Sequence, residues 1–112
     1  MNPEKASPKI KVVKPSGILD STQTKKLRSE IDTILQAGIH IILMDLENVT
    51  FMDSSGLGAL VVNLKAVRTA GGKLYICSMN GQIQILFELT GMDKVFKIFA
   101  NQSEFYQKAD IF

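Results

Sequence analysis

The run IHIILMDL, Ile39 to Leu46, limits the possible folds more than any other feature, because Ile39 and Ile41–Met44 are apolar almost without a break. A strand with one wet face alternates apolar and polar residues. An unbroken run of this length therefore predicts a central strand covered on both faces. The neighbouring segments supply the cover. In DSTQTKKLRSEIDTILQAG, Asp20 or Ser21 stands as N-cap, Leu27, Ile31, Ile34 and Leu35 follow at helical spacing, and Gly38 suits the left-handed end of a helix.

The same alternation extends along the chain. KIKVV (Lys9–Val13) predicts a first strand, broken by Pro15 and Gly17. After the central strand, Leu57, Leu60, Val61, Leu64 and Val67 form a helical stripe that stops at Gly71-Gly72, and KLYIC (Lys73–Cys77) predicts another buried strand. Ile83, Leu86 and Leu89 repeat helically up to Gly91, VFKIF (Val95–Phe99) predicts a last strand, and Asn101 with Glu104 makes a capping box for a short final helix. Strands that alternate with helices imply right-handed crossovers and an α/β fold: a central, mostly parallel sheet of about four or five strands with about four helices. Residues 1–8 read as a flexible tail and residues 9–112 as one domain, which suits a chain of 112 residues.

Composition narrows the function. The chain is 46% apolar and 21% charged with a net charge of +2, and its basic residues are scattered, which argues against nucleic-acid or membrane binding. Its one cysteine, Cys77, excludes an intramolecular disulfide and a multi-thiolate metal site and reads as a packed thiol. The opening MNPEKASPK lacks an apolar run of signal-peptide length, so the expectation is a cytoplasmic protein.

Sites in open parallel sheets gather in the turns that follow strands. VTFMDSSGLGALV (Val49–Val61) holds such a turn, with Asp53, Ser54, Ser55 and Gly56 between an apolar approach and a helix, and Gly17–Asp20 holds another. A serine hydrolase is a poor fit. No Gly-x-Ser-x-Gly elbow is present, and the sole histidine, His40, is expected at the opposite end of its strand from Ser54. The SSGLG sequence lacks the Walker and dinucleotide fingerprints, so Gly56 and Gly58 are expected to let the helix approach the sheet closely, with a small phosphate- or nucleotide-binding domain kept as the alternative. Asp45, Glu47 and Asp53 read as caps or surface groups rather than a metal site. Met52 and Met79 are open to two readings: a partner-binding surface shared with exposed Leu19 or Leu57, or core filling.

The stretch LENVTFMDSSGLGALV, with GILD upstream and FELTGMDKVFKIF downstream, resembles the STAS-domain anti-sigma-factor antagonists of bacteria from about Lys9 onward. The resemblance implies a switch protein that is not an enzyme and needs no cofactor or metal. Its unphosphorylated form binds an anti-sigma factor that is also a serine kinase, phosphorylation of Ser54 releases it, and a PP2C-type phosphatase resets it. The partner-binding set carried over is Asp20, Ser21, Thr22, Met52, Asp53, Ser54, Ser55, Gly56 and Leu57, on a monomer or weak dimer that binds neither nucleic acid nor membrane. Ser55 is expected to point inward or to cap the helix. Where relatives carry Glu in the GELD element this chain has Ile18, which leaves the choice of partner open. Relatives often add an N-terminal strand beside the one at Lys9–Val13. A STAS module of another signalling or transport assembly is the alternative within the fold.

Overall fold

The computed structural model describes residues 8–111. Six strands and four helices follow one another as β1 (Ile10–Val13), β2 (Gly17–Leu19), α1 (Thr24–Gln36), β3 (Ile41–Asp45), β4 (Val49–Met52), α2 (Ser54–Thr69), β5 (Lys73–Cys77), α3 (Gly81–Thr90), β6 (Lys97–Phe99) and α4 (Gln102–Lys108), with a 3-10 turn at Met92–Lys94. A four-stranded sheet runs in the order β1-β3-β5-β6, parallel throughout. β2 and β4 form a separate parallel pair.

The unbroken apolar run of β3 has its explanation in this order. Residues alternate between the faces of a strand. One face sends Ile42 and Met44, with Leu74 and Ile76 of β5, into a large core with Leu27, Ile31 and Ile34 of α1, Leu60, Leu64 and Val67 of α2, and Ile83 and Phe87 of α3. The other face sends Leu43, Tyr75 and Cys77 into a second core closed by Phe105 and Ala109. Each of the larger buried side chains contributes about 1.5–3 kcal/mol relative to an exposed one. The Tyr75 hydroxyl donates to Asp110 Oδ1 at 2.7 Å, and Lys97 Nζ meets Asp110 Oδ2 at 2.7 Å, which ties the end of the chain to β5 and β6.

Four expectations change. β2 and β4 are short strands that the apolar pattern did not mark as strands, and they pair with each other instead of extending the main sheet. α1 starts at Thr24, because Asp20 and Ser21 are used in a preceding turn: Asp20 Oδ1 accepts from the Thr22 N–H at 2.9 Å, and Gln23, the N-cap residue, makes no side-chain cap. The last strand begins at Lys97, two residues later than expected, because Phe96 turns into the large core from the preceding loop. Leu89 is 82% exposed rather than on the buried stripe of α3, where Phe87 takes its place. Gly38 has φ +84°, as the helix end requires. The tail and the possible extra N-terminal strand fall on residues 1–7, outside the described residues. Among the described residues no helix is long and apolar enough to cross a membrane.

Candidate functional site

The β2-β4 pair brings two distant turns together. Leu19 is in register with Met52, and Asp53 N–H donates to the Leu19 carbonyl at 3.4 Å. Asp20–Thr22 and Asp53–Ser55 therefore leave the same end of the same small sheet. The two stretches singled out by sequence are neighbours in space.

Within the second turn the helix start is set by Asp53. Its backbone is extended (φ −104°, ψ −176°), and its Oδ1 accepts from the Gly56 N–H at 3.0 Å. This satisfies one of the free donors of the first turn. Ser54 is the first helical residue; it and Ser55 are both exposed, and neither hydroxyl has a hydrogen-bond partner among the described residues. The expectation that Ser55 points inward or caps the helix is overturned, because Asp53 already holds the cap.

Gly56 is buried in the joint between helix and sheet. A Cβ there would strike the Leu19 carbonyl, with the carbonyl carbon 2.8 Å away and Met52 Cγ at 3.1 Å. Gly58 meets nothing within 4 Å, so only the first of the two glycines permits the close approach. On the first turn, the Thr22 hydroxyl donates to Asp20 Oδ1 at 2.6 Å. That bond first, and the Thr22 N–H next, holds the Asp20 carboxyl below its ordinary range.

Met52, Leu57 and Leu19 are buried in the large core. The reading of these residues as an adaptable exposed surface falls, and core filling accounts for them. The apolar surface at this place comes from Ile18, 54% exposed, and Phe51, 46% exposed, which stand opposite each other in the β2-β4 register. Nothing in the sequence singled out Phe51.

A further contributor comes from α3. The Gln82 amide bonds both backbone groups of Met52: its Oε1 accepts from Met52 N–H at 2.9 Å and its Nε2 donates to the Met52 carbonyl at 2.8 Å. Asn80 caps α3 through Ile83 N–H at 3.0 Å and also donates to the Thr50 carbonyl at 3.2 Å. The outer edge of β4 is thereby closed by side chains, as another strand would close it. The strand that presents the Asp53 turn is held on both sides.

The other titratable groups lie elsewhere. His40 precedes β3 and its Nδ1 bonds the Gly38 carbonyl at 3.1 Å, while Ser54 follows β4. Asp45 is buried at the end of β3; burial works against its charge, but the Gln102 amide at 2.7 Å, the Glu47 N–H at 3.0 Å and Ser78 outweigh it and lower the carboxyl's pKa. No group of three or more potential metal-binding side chains occurs among the described residues. Cys77 is buried, and burial pushes its thiol up to about 11.

The chain is similar to known proteins in sequence and in fold. A model of the STAS domain matches residues 4–105. The chain is 33% identical over 95 residues to the anti-sigma F factor antagonist of Paenibacillus polymyxa, across 83% of this chain and 80% of that one. It is 40% identical over 80 residues to the anti-sigma-B factor antagonist of Staphylococcus aureus, across 71% and 74%. The fold is shared with Bacillus SpoIIAA, an anti-sigma factor antagonist, in its unphosphorylated form (TM-score 0.67, 20% identity, 91% of this chain and 90% of that one) and its phosphorylated form (TM-score 0.63, 20% identity, 86% and 87%). With the domain model matching nearly the whole of this chain, the chain belongs to the STAS-domain family of anti-sigma-factor antagonists.

Proposed function

We propose that this protein is a phosphorylation-switched antagonist of an anti-sigma factor, with Ser54 as the switch. Its unphosphorylated form binds an anti-sigma factor that is also a serine kinase; phosphate on Ser54 ends the complex, and a PP2C-type phosphatase restores the hydroxyl. The observation that carries this reading is the placement of Ser54: exposed, without a hydrogen-bond partner among the described residues, at the first position of α2 and beside the Asp20 turn. The preference for Ser54 over the equally exposed Ser55 comes from the match to the family motif. The partner face consists of Asp20, Ser21, Thr22, Asp53, Ser54 and Ser55, with Ile18 and Phe51 as its apolar part. Met52, Gly56 and Leu57 support that face from below. The protein works as a cytoplasmic binding module, not as an enzyme.

The physics of the switch follows from that placement. A phosphate adds about −1.5 to −2 charges. The dipole and free N–H groups of a helix start offset such charge by about 0.3–1 kcal/mol, and the Asp53 carboxylate next door opposes it by a similar amount. The fold should therefore tolerate the phosphate, leaving its bulk and charge to act on the partner. Incubation with the anti-sigma factor kinase and ATP, followed by mass spectrometry, tests the assignment. Phosphate is expected on the wild type and on Ser55→Ala, and absent from Ser54→Ala; phosphate on Ser54→Ala would reject Ser54 as the switch.

A further inference from the structure

Gln82 is the second residue of α3, yet both polar atoms of its side chain are taken by one residue of another element. Its Oε1 accepts from the Met52 N–H at 2.9 Å, and its Nε2 donates to the Met52 carbonyl at 2.8 Å. Opposite residues of an antiparallel sheet exchange this same pair of bonds, so the carboxamide stands where a further strand would. Its orientation is fixed, because a carbonyl can only accept and a backbone N–H can only donate.

The place of Met52 gives this clamp its consequence. β4 has four residues, and β2, which pairs with it, has three. Asp53 turns its N–H to the Leu19 carbonyl of β2 at a long 3.4 Å, while Met52 turns both backbone groups the other way, to Gln82. Ser54 comes directly after. Met52 is buried, so a side chain of similar size without polar atoms at position 82 would leave two buried backbone groups unpaired, which native structures avoid.

We infer that Gln82 is a positioning residue for phosphate transfer: through the Met52 backbone it fixes where the Ser54 hydroxyl stands while a kinase holds the Asp20 and Asp53 turns. This rests on Ser54 being the switch. Misplacing a reacting atom by about 1 Å can slow a reaction about 10²-fold. Gln82 is not part of the partner face, so its loss should show in the rate of transfer and not in affinity.

The test compares the intact wild type with Gln82→Met, which keeps the length of the side chain without its polar atoms, and with Gln82→Glu, which keeps its shape but has no donor for the Met52 carbonyl. Single-turnover phosphate transfer at saturating anti-sigma factor kinase and ATP is expected to slow about tenfold in both variants. The calorimetric Kd of the unphosphorylated chains for the kinase should stay within about threefold of the wild type. In Gln82→Met the Met52 amide, followed by NMR, should exchange its proton at least about tenfold faster. Ile83→Val, a core change on the next residue of α3 that lowers stability and spares the clamp, should transfer at the wild-type rate. Gln82→Glu, nearly isosteric, decides the question if Gln82→Met does not fold. Wild-type transfer by either folded variant, equal slowing by Ile83→Val, or an unchanged Met52 amide would overturn the inference and leave Ser54 as the switch. A wild type that takes no phosphate on Ser54 would instead overturn the switch reading, and this inference with it.

Discussion

The carbonyl of Leu19 lies against the Cα of Gly56, in the space that a Cβ would occupy. This one approach seats the first turn of α2 on β2, so that the turn holding Ser54 leaves the same end of the small sheet as the turn holding Asp20. Backbone cannot yield as a flexible side chain can. Gly56→Ala should destabilise the protein by about 1–3 kcal/mol, the usual range for overpacking. Gly58→Ala should be neutral or stabilising by up to about 1 kcal/mol, because alanine is the better helix former and open space surrounds that position. Urea unfolding midpoints of the two variants measure the contrast.

The Asp53 cap predicts a second contrast. Asp53→Ala should cost about 0.5–2 kcal/mol and Asp53→Asn much less, since an amide oxygen can still accept from Gly56 N–H. Ser55→Ala, which removes no cap, should stay within about 0.5 kcal/mol of the wild type by the same measurement.

The Asp45 cluster predicts a pH dependence. The folded state lowers this carboxyl below its ordinary 3.8. A depressed carboxyl pKa adds stability above the unfolded value, and that contribution is lost as pH falls through the folded value. Stability should therefore drop as the solution is acidified below about pH 4. Gln102→Leu, which removes the 2.7 Å donor, should raise the Asp45 pKa and cost about 1.5–3 kcal/mol at neutral pH. Carboxyl NMR titration and chemical denaturation at two pH values check both parts.

Cys77 should be inert in the native protein. Its thiol is buried and pushed up to about 11, so little reactive thiolate exists at pH 8. Ellman's reagent should label it only on unfolding; rapid stoichiometric labelling of the folded chain would contradict its burial.

The main sheet was legible in the sequence because its strands are apolar runs bounded by clear helix signals; β3 and its two cores follow directly from Ile41–Met44. β2 and β4 were not, because strands of three and four residues carry too little pattern, and their pairing is a tertiary fact. The site was legible as a motif but not as a geometry. Asp53, Ser54 and Ser55 are all good capping residues in a row, and only the extended backbone at Asp53 chooses among them. Gly56 and Gly58 look alike in SSGLG, yet only one faces Leu19. Gln82 gave no signal, since a polar residue in a helix does not disclose a strand edge across from it.

The central claim is that phosphate on Ser54 ends a complex without unfolding the protein. Calorimetric titration of the anti-sigma factor with the unmodified chain and with the Ser54-phosphorylated chain, both shown folded by circular dichroism, tests it most directly. The expected result is binding weakened at least about tenfold by the phosphate, about 1.4 kcal/mol, with the fold retained. Equal affinity of the two folded forms would contradict the account.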